Sequence, residues 1–239
     1  MNRFLRLQRQ TDAMADFYQT YEDFKDYRTP GLKPKHIRQF DREFWTPASC
    51  SVNHSVLEVG CGAGQFLLYL KAKGISDFLG IDHDPALAPV IDPTVAGQFE
   101  VHDVWAFLQT TERTFDRIAL FDVLEHFSAD DGAKLLAGLK ARLNPGGCIV
   151  VRVPNASSPW GLQYQYGDLT HCTAYTPSSL KQVGQAAGLP HVTCMAQVQG
   201  SRARRLTEAL LHGLLNKLLT RPPEIWTANV LAVFAAGVK

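Results

Sequence analysis

Residues 166–172 read YGDLTHC and residues 123–127 read VLEHF. Each stretch sets a histidine close to an acid in what reads as a loop. An imidazole titrates near neutral pH, so His126 and His171 are both candidates to take a proton from a hydroxyl. Asp168, three residues before His171, could orient that ring as an acid orients the base of a hydrolytic triad. With Asp122, the same side chains could hold a divalent cation, because carboxylate oxygens suit magnesium. No ligand spacing of the kind that marks metal sites accompanies them, so no metal ligand is assigned. The quieter reading makes His171 a solvated loop residue and His126 a tie that holds its own loop. The partner these groups would meet decides between the two.

A second constellation bears on that partner. Glu58-Val59-Gly60-Cys61-Gly62-Ala63-Gly64 leaves a short apolar run, SVLEV, and enters FLLYLKAKG. Glycine at alternate positions lets backbone approach a ligand closely, and the helix beyond offers unpaired N–H groups. The pattern is GxGxG, not the GxGxxG of dinucleotide binders. Glu58 would repel a pyrophosphate but suits an ammonium or sulfonium, as in S-adenosylmethionine. Asp82 follows at the spacing where an acid accepts from ribose hydroxyls. His83 beside it flanks an adenine or opens a turn. Asp103, with Val104 next to it, is placed to meet an adenine amine or to cap a helix. Asp122 ends a further strand at the edge where ligands bind in such sheets.

The elements that must position these residues alternate. SVLEV (55–59), DFLGID (77–82), FEVHD (99–103), FDRIALFD (115–122) and GCIVVRVP (147–154) read as strands, with amphipathic helices such as 130–147 between them. That alternation indicates an α/β fold with helices on both faces of a parallel sheet. Two helices broken near Thr29-Pro30-Gly31 precede it. A long loop (155–176), a helix from TPSSL, a strand over 191–199, a helix over 201–220 and a closing strand over 225–237 follow.

The runs VLEVGCGAGQF, GIDHDP, VHDV, FDRIALFDVLEHF and LNPGGCIVVRVPN, in this order, resemble the class I S-adenosylmethionine-dependent methyltransferases. The resemblance implies a doubly wound, Rossmann-like, seven-stranded sheet, mostly parallel, with its last strand antiparallel. It implies S-adenosylmethionine above the carboxyl edge, with Glu58 to Gly64 around the methionine moiety, Asp82 on the ribose and Asp103 near adenine. VLEH is similar to the signature of quinone-biosynthesis O-methyltransferases. YGDLTH, the long basic-apolar helix and IWTANVLAV resemble methyltransferases of bacterial surface-polysaccharide and sugar-modification pathways. That likeness implies a small-molecule or glycan acceptor, a helical cap over residues 1–50 and a catalytic domain over 51–239. O-methylation of a phenol or quinol and cofactor binding without catalysis are the competing expectations.

Composition narrows the classes. With 24 basic and 23 acidic residues the chain has no field for nucleic acid, and no basic stripe appears. No apolar run is long enough for a signal peptide or a membrane span. Five scattered cysteines, none in a CxxC pair, fit a reducing, cytoplasmic setting. In SRARRLTEALLHGLLNKLLTR the leucines form an apolar face wider than a core-facing helix needs. Packing in the fold with a homodimer contact, or peripheral attachment to a membrane, would each use it.

Overall fold

A computed structural model describes residues 28–235. The first helix expected for the 1–50 cap and the end of the expected closing strand lie outside them. Helix α1 (Pro34–Phe40) starts on Pro34, whose fixed φ suits a first helical turn, and widens into a π turn over Asp41–Trp45. The βα units follow: β1 (Val56–Val59), α2 (Gln65–Ala72), β2 (Phe78–Asp82), β3 (Phe99–Val101), α3 (Val104–Thr110), β4 (Phe115–Phe121), α4 (Ala129–Lys140) and β5 (Leu143–Pro154). The chain then makes the single turn α5 (Leu162–Gln165), α6 (Pro177–Ala186), β6 (His191–Ala196), α7 (Arg202–Leu218) and β7 (Asn229–Ala235).

The seven strands lie in the order β3-β2-β1-β4-β5-β7-β6. Strands β1 to β5 pair in parallel, and β7 runs antiparallel to both neighbours, as the resemblance implied. The order reverses at β1 and β4, so the loops after their carboxyl ends flank a crevice. Three boundaries differ from expectation. β5 begins at Leu143 instead of 147, because a register shift between Phe115 and Arg117 lets Leu143 pair with Phe115. β3 stops at Val101, since Asp103 turns the chain into α3 as its N-cap. β7 starts only at Asn229, because residues 225–228 serve as hydrogen-bond partners for the loop after β5.

Buried strand residues alternate between two cores, one per face of the sheet. Leu57, Ile149 and Val151 point to the face covered by α3, α4 and α6. Val56, Ala119 and Val150 point to the face covered by α1 and α2. On that second face Phe66 meets Phe40, Phe44 and Phe121 at ring-centroid distances of 5.0, 4.8 and 5.1 Å. Edge-to-face pairs of this kind add about 0.5–1.5 kcal/mol each beyond burial. They fix α1 directly above the carboxyl end of β4.

Helix α7 corrects an expectation. None of its residues is buried, and Leu206, Leu210 and Leu214 are 62%, 68% and 54% exposed. Its wide leucine face does not pack in the fold. A polar and aromatic clasp holds the helix: Trp160 Nε1 donates to His212 Nε2, His212 stacks on Trp226, and Trp226 Nε1 donates to Asn216 Oδ1.

Candidate active site

The glycine turn after β1 is built by backbone that L-residues avoid. Gly60, Gly62 and Gly64 have φ of 70°, 51° and 80°. A Cβ at Gly60 would lie 2.4 Å from Val123 Cγ2, whereas one at Gly62 would meet nothing within 4 Å. Gly62 therefore leaves room for a ligand against the main chain, while Gly60 packs the turn onto the loop after β4. The Gly62 amide donates to Asp82 Oδ2 at 2.9 Å, tying the turn to the end of β2. The Cys61 thiol is buried in the core, so this residue can offer a ligand only its backbone. Val104 is likewise mostly buried, and the His83 ring lies 3.5 Å from Asp82.

Glu58 is 4% exposed, and its Oε2 has no hydrogen-bond partner among the described residues. Burial pushes its carboxyl well above the usual range; Asp82 pushes the same way and Arg152 against it. An orphaned carboxylate oxygen beside open, left-handed glycine backbone fits a cationic ligand such as a sulfonium or ammonium. Asp103 caps α3 through Oδ1, which accepts from the Trp105 and Ala106 amides at 3.0 Å each.

Beyond β4 the chain turns at Asp122, a non-glycine residue at φ 58°. Its carboxylate is taken by Arg152, which donates to Oδ1 at 3.0 Å and to Oδ2 at 2.5 Å. Arg152 also donates to the fully buried Glu43 at 2.6 Å, and Glu43 accepts from Gln39 and Gln197 as well. Burial works against the charge on Arg152, but Asp122 and Glu43 outweigh it and hold the guanidinium protonated above its ordinary range. Asp122 therefore does not meet His171, and the cation set sketched from the sequence is not assembled.

Residues 155–176 are folded back onto this edge. Asn155 bridges to Tyr175, and its side-chain amide donates to the Ile225 and Thr227 carbonyls. The Cys172 and Thr173 amides donate to the Glu125 carbonyl at 2.8 and 3.0 Å. These bonds bring His171 to His126, with ring centroids 4.7 Å apart and nearly perpendicular.

Asp168 orients a different histidine from the one expected. Thr170 Oγ1 donates to Asp168 Oδ1 at 2.5 Å and lies 2.9 Å from His126 Nδ1. A hydroxyl that has given its proton to a carboxylate can only accept from the ring, so His126 carries its proton on Nδ1. His171 Nδ1 lies 3.0 Å from the Gln165 carbonyl, which can only accept, and so it is protonated there too. On each ring the basic nitrogen is then Nε2. The two rings line a cavity of about 410 Å³ together with Asp122, Arg152, Tyr164 and Asp168. The other loop aromatics serve elsewhere: Tyr175 is in the core, Trp160 clasps α7, and Tyr166 is exposed.

Glu125, next to His126, lies outside the residues the sequence singled out. It is fully buried in the single turn 124–126, and among the described residues neither carboxylate oxygen has a hydrogen-bond partner. Burial, then the charge of Asp122, pushes its carboxyl well above the usual range. Glu125, His126 and His171 bring one ligand atom each within 4.8 Å of one another, a set able to hold a divalent cation. Adjacent acid and histidine at 125–126 were the only signal of it, and His171 joins through the fold alone.

A family model described as a methyltransferase domain matches residues 21–193. The chain belongs to the methyltransferase-domain family. It is a methyltransferase, and its methyl donor is S-adenosylmethionine. Solved structures share the fold. One is a SAM-dependent methyltransferase from Archaeoglobus fulgidus, 19% identical, with a TM-score of 0.64 over 92% of this chain and 99% of that one. The plantazolicin methyltransferase BpumL in complex with SAH is 18% identical, with a TM-score of 0.58 over 93% of this chain and 90% of that one. An O-methyltransferase family protein from Burkholderia thailandensis is 13% identical, with a TM-score of 0.58 over 84% of this chain and 57% of that one. No curated protein sequence matches the chain.

Proposed function

We propose that this methyltransferase acts on a hydroxyl of a sugar or glycan, with His126 as the base. The observation that carries the reading is the Asp168–Thr170–His126 chain of hydrogen bonds, which ends on the cavity His126 shares with His171. Glu58, the Gly60–Gly64 turn, Asp82 and Asp103 would hold the cofactor, which supplies an activated methyl group. In the transfer the hydroxyl oxygen bonds the methyl carbon as the carbon–sulfur bond breaks, S-adenosylhomocysteine leaves, and the hydroxyl proton passes to His126 Nε2.

A sugar hydroxyl is a weak acid, so alignment alone is a poor route and a positioned base is worth about 10²–10⁴ in rate. Asp168 stabilises the imidazolium through Thr170, and this favours His126 over His171. His171, held by the Gln165 carbonyl, then positions the acceptor hydroxyl. Tyr164 and the loop around Gly167 supply walls on which a sugar ring can lie. A phenolic acceptor would need this base far less, since phenols deprotonate near pH 10.

The cluster of Glu125, His126 and His171 favours a second reading, in which a divalent cation binds the hydroxyl and lowers its pKa. The exposed leucines of α7, flanked by arginines and Lys217, support peripheral contact with a lipid surface, or with a second copy of the chain. No helix of the described residues is long and apolar enough to cross a membrane. The scattered cysteines support a cytoplasmic setting. Turnover of labelled S-adenosylmethionine against nucleotide sugars, glycans and catechols tests the assignment. Methylation confined to catechols, and indifferent to His126→Ala, would overturn it.

A further inference from the structure

A second cavity, of about 740 Å³, opens beside the first and shares Gln39 and Gln199 with it as walls. Its lining is strongly basic. Lys35, Arg38 and Arg42 face it from α1 and the π turn, and Arg202 and Arg205 from the first turns of α7. No carboxylate lines it among the described residues.

None of the five cations pairs with a carboxylate of the described residues. Of the acids beside Arg42, Asp41 is taken by Lys73 and Tyr69 and Glu43 by Arg152, and Glu208, three residues beyond Arg205, forms no ion pair with it among the described residues. Arg205 Nε is buried and has no hydrogen-bond partner among the described residues. Leaving a buried guanidinium nitrogen unpaired is costly, and like charges gathered around one space repel each other. An anion with several acceptor oxygens relieves both costs. The N-terminus of the 17-residue helix α7, which supplies Arg202 and Arg205, adds the positive end of its dipole. Arginine forks match phosphate oxygens in pairs, and five cations exceed what one carboxylate needs.

We infer that this basic cavity binds a diphosphate carried by the acceptor, so that the sugar ring extends past Gln39 and Gln199 toward His126 and His171. The inference deepens the hydroxyl-methylation reading and rests on it for the position of the sugar. The diphosphate itself can come from a nucleoside diphosphate in solution or from an isoprenoid diphosphate at a membrane.

The test is direct binding to the full chain saturated with S-adenosylhomocysteine, so it needs no turnover. Inorganic pyrophosphate should bind by calorimetry, more weakly as salt rises, and lose about tenfold in affinity in Arg38→Gln/Arg42→Gln and again in Arg202→Gln/Arg205→Gln. Affinity for S-adenosylhomocysteine should be unchanged in both. Uridine diphosphate, and vesicles of phosphatidylcholine carrying a polyisoprenyl diphosphate, form the two remaining arms; the tighter one identifies the source. Three results would overturn the inference. They are no binding of any probe at millimolar concentration, binding that both variants leave intact, or variants that weaken S-adenosylhomocysteine as much as pyrophosphate. The last would assign the cavity to the cofactor's own carboxylate. If the probes bind but no hydroxyl is methylated, the anion site stands and the hydroxyl reading fails.

Discussion

Asp168 and His126 are joined through a single hydroxyl, Thr170 Oγ1, which lies 2.5 Å from the carboxylate and 2.9 Å from the ring nitrogen. His126→Ala should lower kcat by about 10²–10⁴, with partial recovery at high pH. Thr170→Val and Asp168→Asn keep the imidazole but release its tautomer, and each should cost roughly tenfold to a hundredfold. Cofactor affinity, read by calorimetry, should not move. Full turnover in Thr170→Val would mean that the relay is idle.

Glu58 predicts a pH dependence. Its folded-state pKa is raised, so the folded chain holds a proton that the unfolded chain releases near 4.5. Below that value both states are protonated and nothing is lost. As pH rises above it, stability falls, by up to about 1.4 kcal/mol per pH unit, until the folded carboxyl also ionises. Glu58→Gln removes this slope, so its advantage in urea melts without ligand should grow from pH 5 upward. Binding of the cationic cofactor to the parent should release a proton, seen as heat that depends on the buffer's ionisation enthalpy. The variant should bind without release, and more weakly.

The three glycines of the turn separate packing from ligand approach. Gly60→Ala meets Val123 and a positive φ, and should destabilise by about 2–4 kcal/mol in chemical denaturation. Gly62→Ala carries only the strain of its φ, about 1–2 kcal/mol. Larger residues at 62 should then abolish S-adenosylhomocysteine binding while the fold survives.

The buried acid beside the histidines gives a metal test. On the second reading, manganese titration followed by electron paramagnetic resonance should show one site, lost in Glu125→Gln. On that reading chelation slows methyl transfer and magnesium restores it. Turnover indifferent to chelators would leave His126 as an unaided base.

Four α7 leucines changed to serine (206, 210, 214 and 218) should shift stability by no more than about 0.5 kcal/mol each, because none is buried. Flotation with anionic vesicles should then be lost relative to the parent. A parent that never floats would turn the leucine face toward a second copy of the chain.

The glycine turn and the strand-end acids were legible because each is a local pattern with one dominant cause. The meeting of His126 and His171 followed from topology: loops after neighbouring parallel strands share an edge. What could not be read was the choice of partner within that edge. Asp168 lies nearer in sequence to His171, yet the hydroxyl of Thr170 turns it toward His126. The ties of Arg152 to Glu43 and Asp122 join residues far apart in the chain, and no spacing announces them. The burial of Glu125 depends on the returning loop, which the sequence does not place. The face of α7 misled because an apolar stripe encodes a need for cover and not what supplies it.

The main-chain carbonyl of Glu125 fastens the returning loop through the Cys172 and Thr173 amides. Such an anchor is blind to side chains. The wall contributed by Gln163 and Tyr164 can therefore be rewritten by mutation while both imidazoles hold their places, whereas Gly167 is fixed, since a Cβ there would lie 2.4 Å from the Gln163 carbonyl oxygen. On the proposed mechanism, substrate range and proton transfer are thus separable, and directed evolution of the acceptor can begin at those two positions.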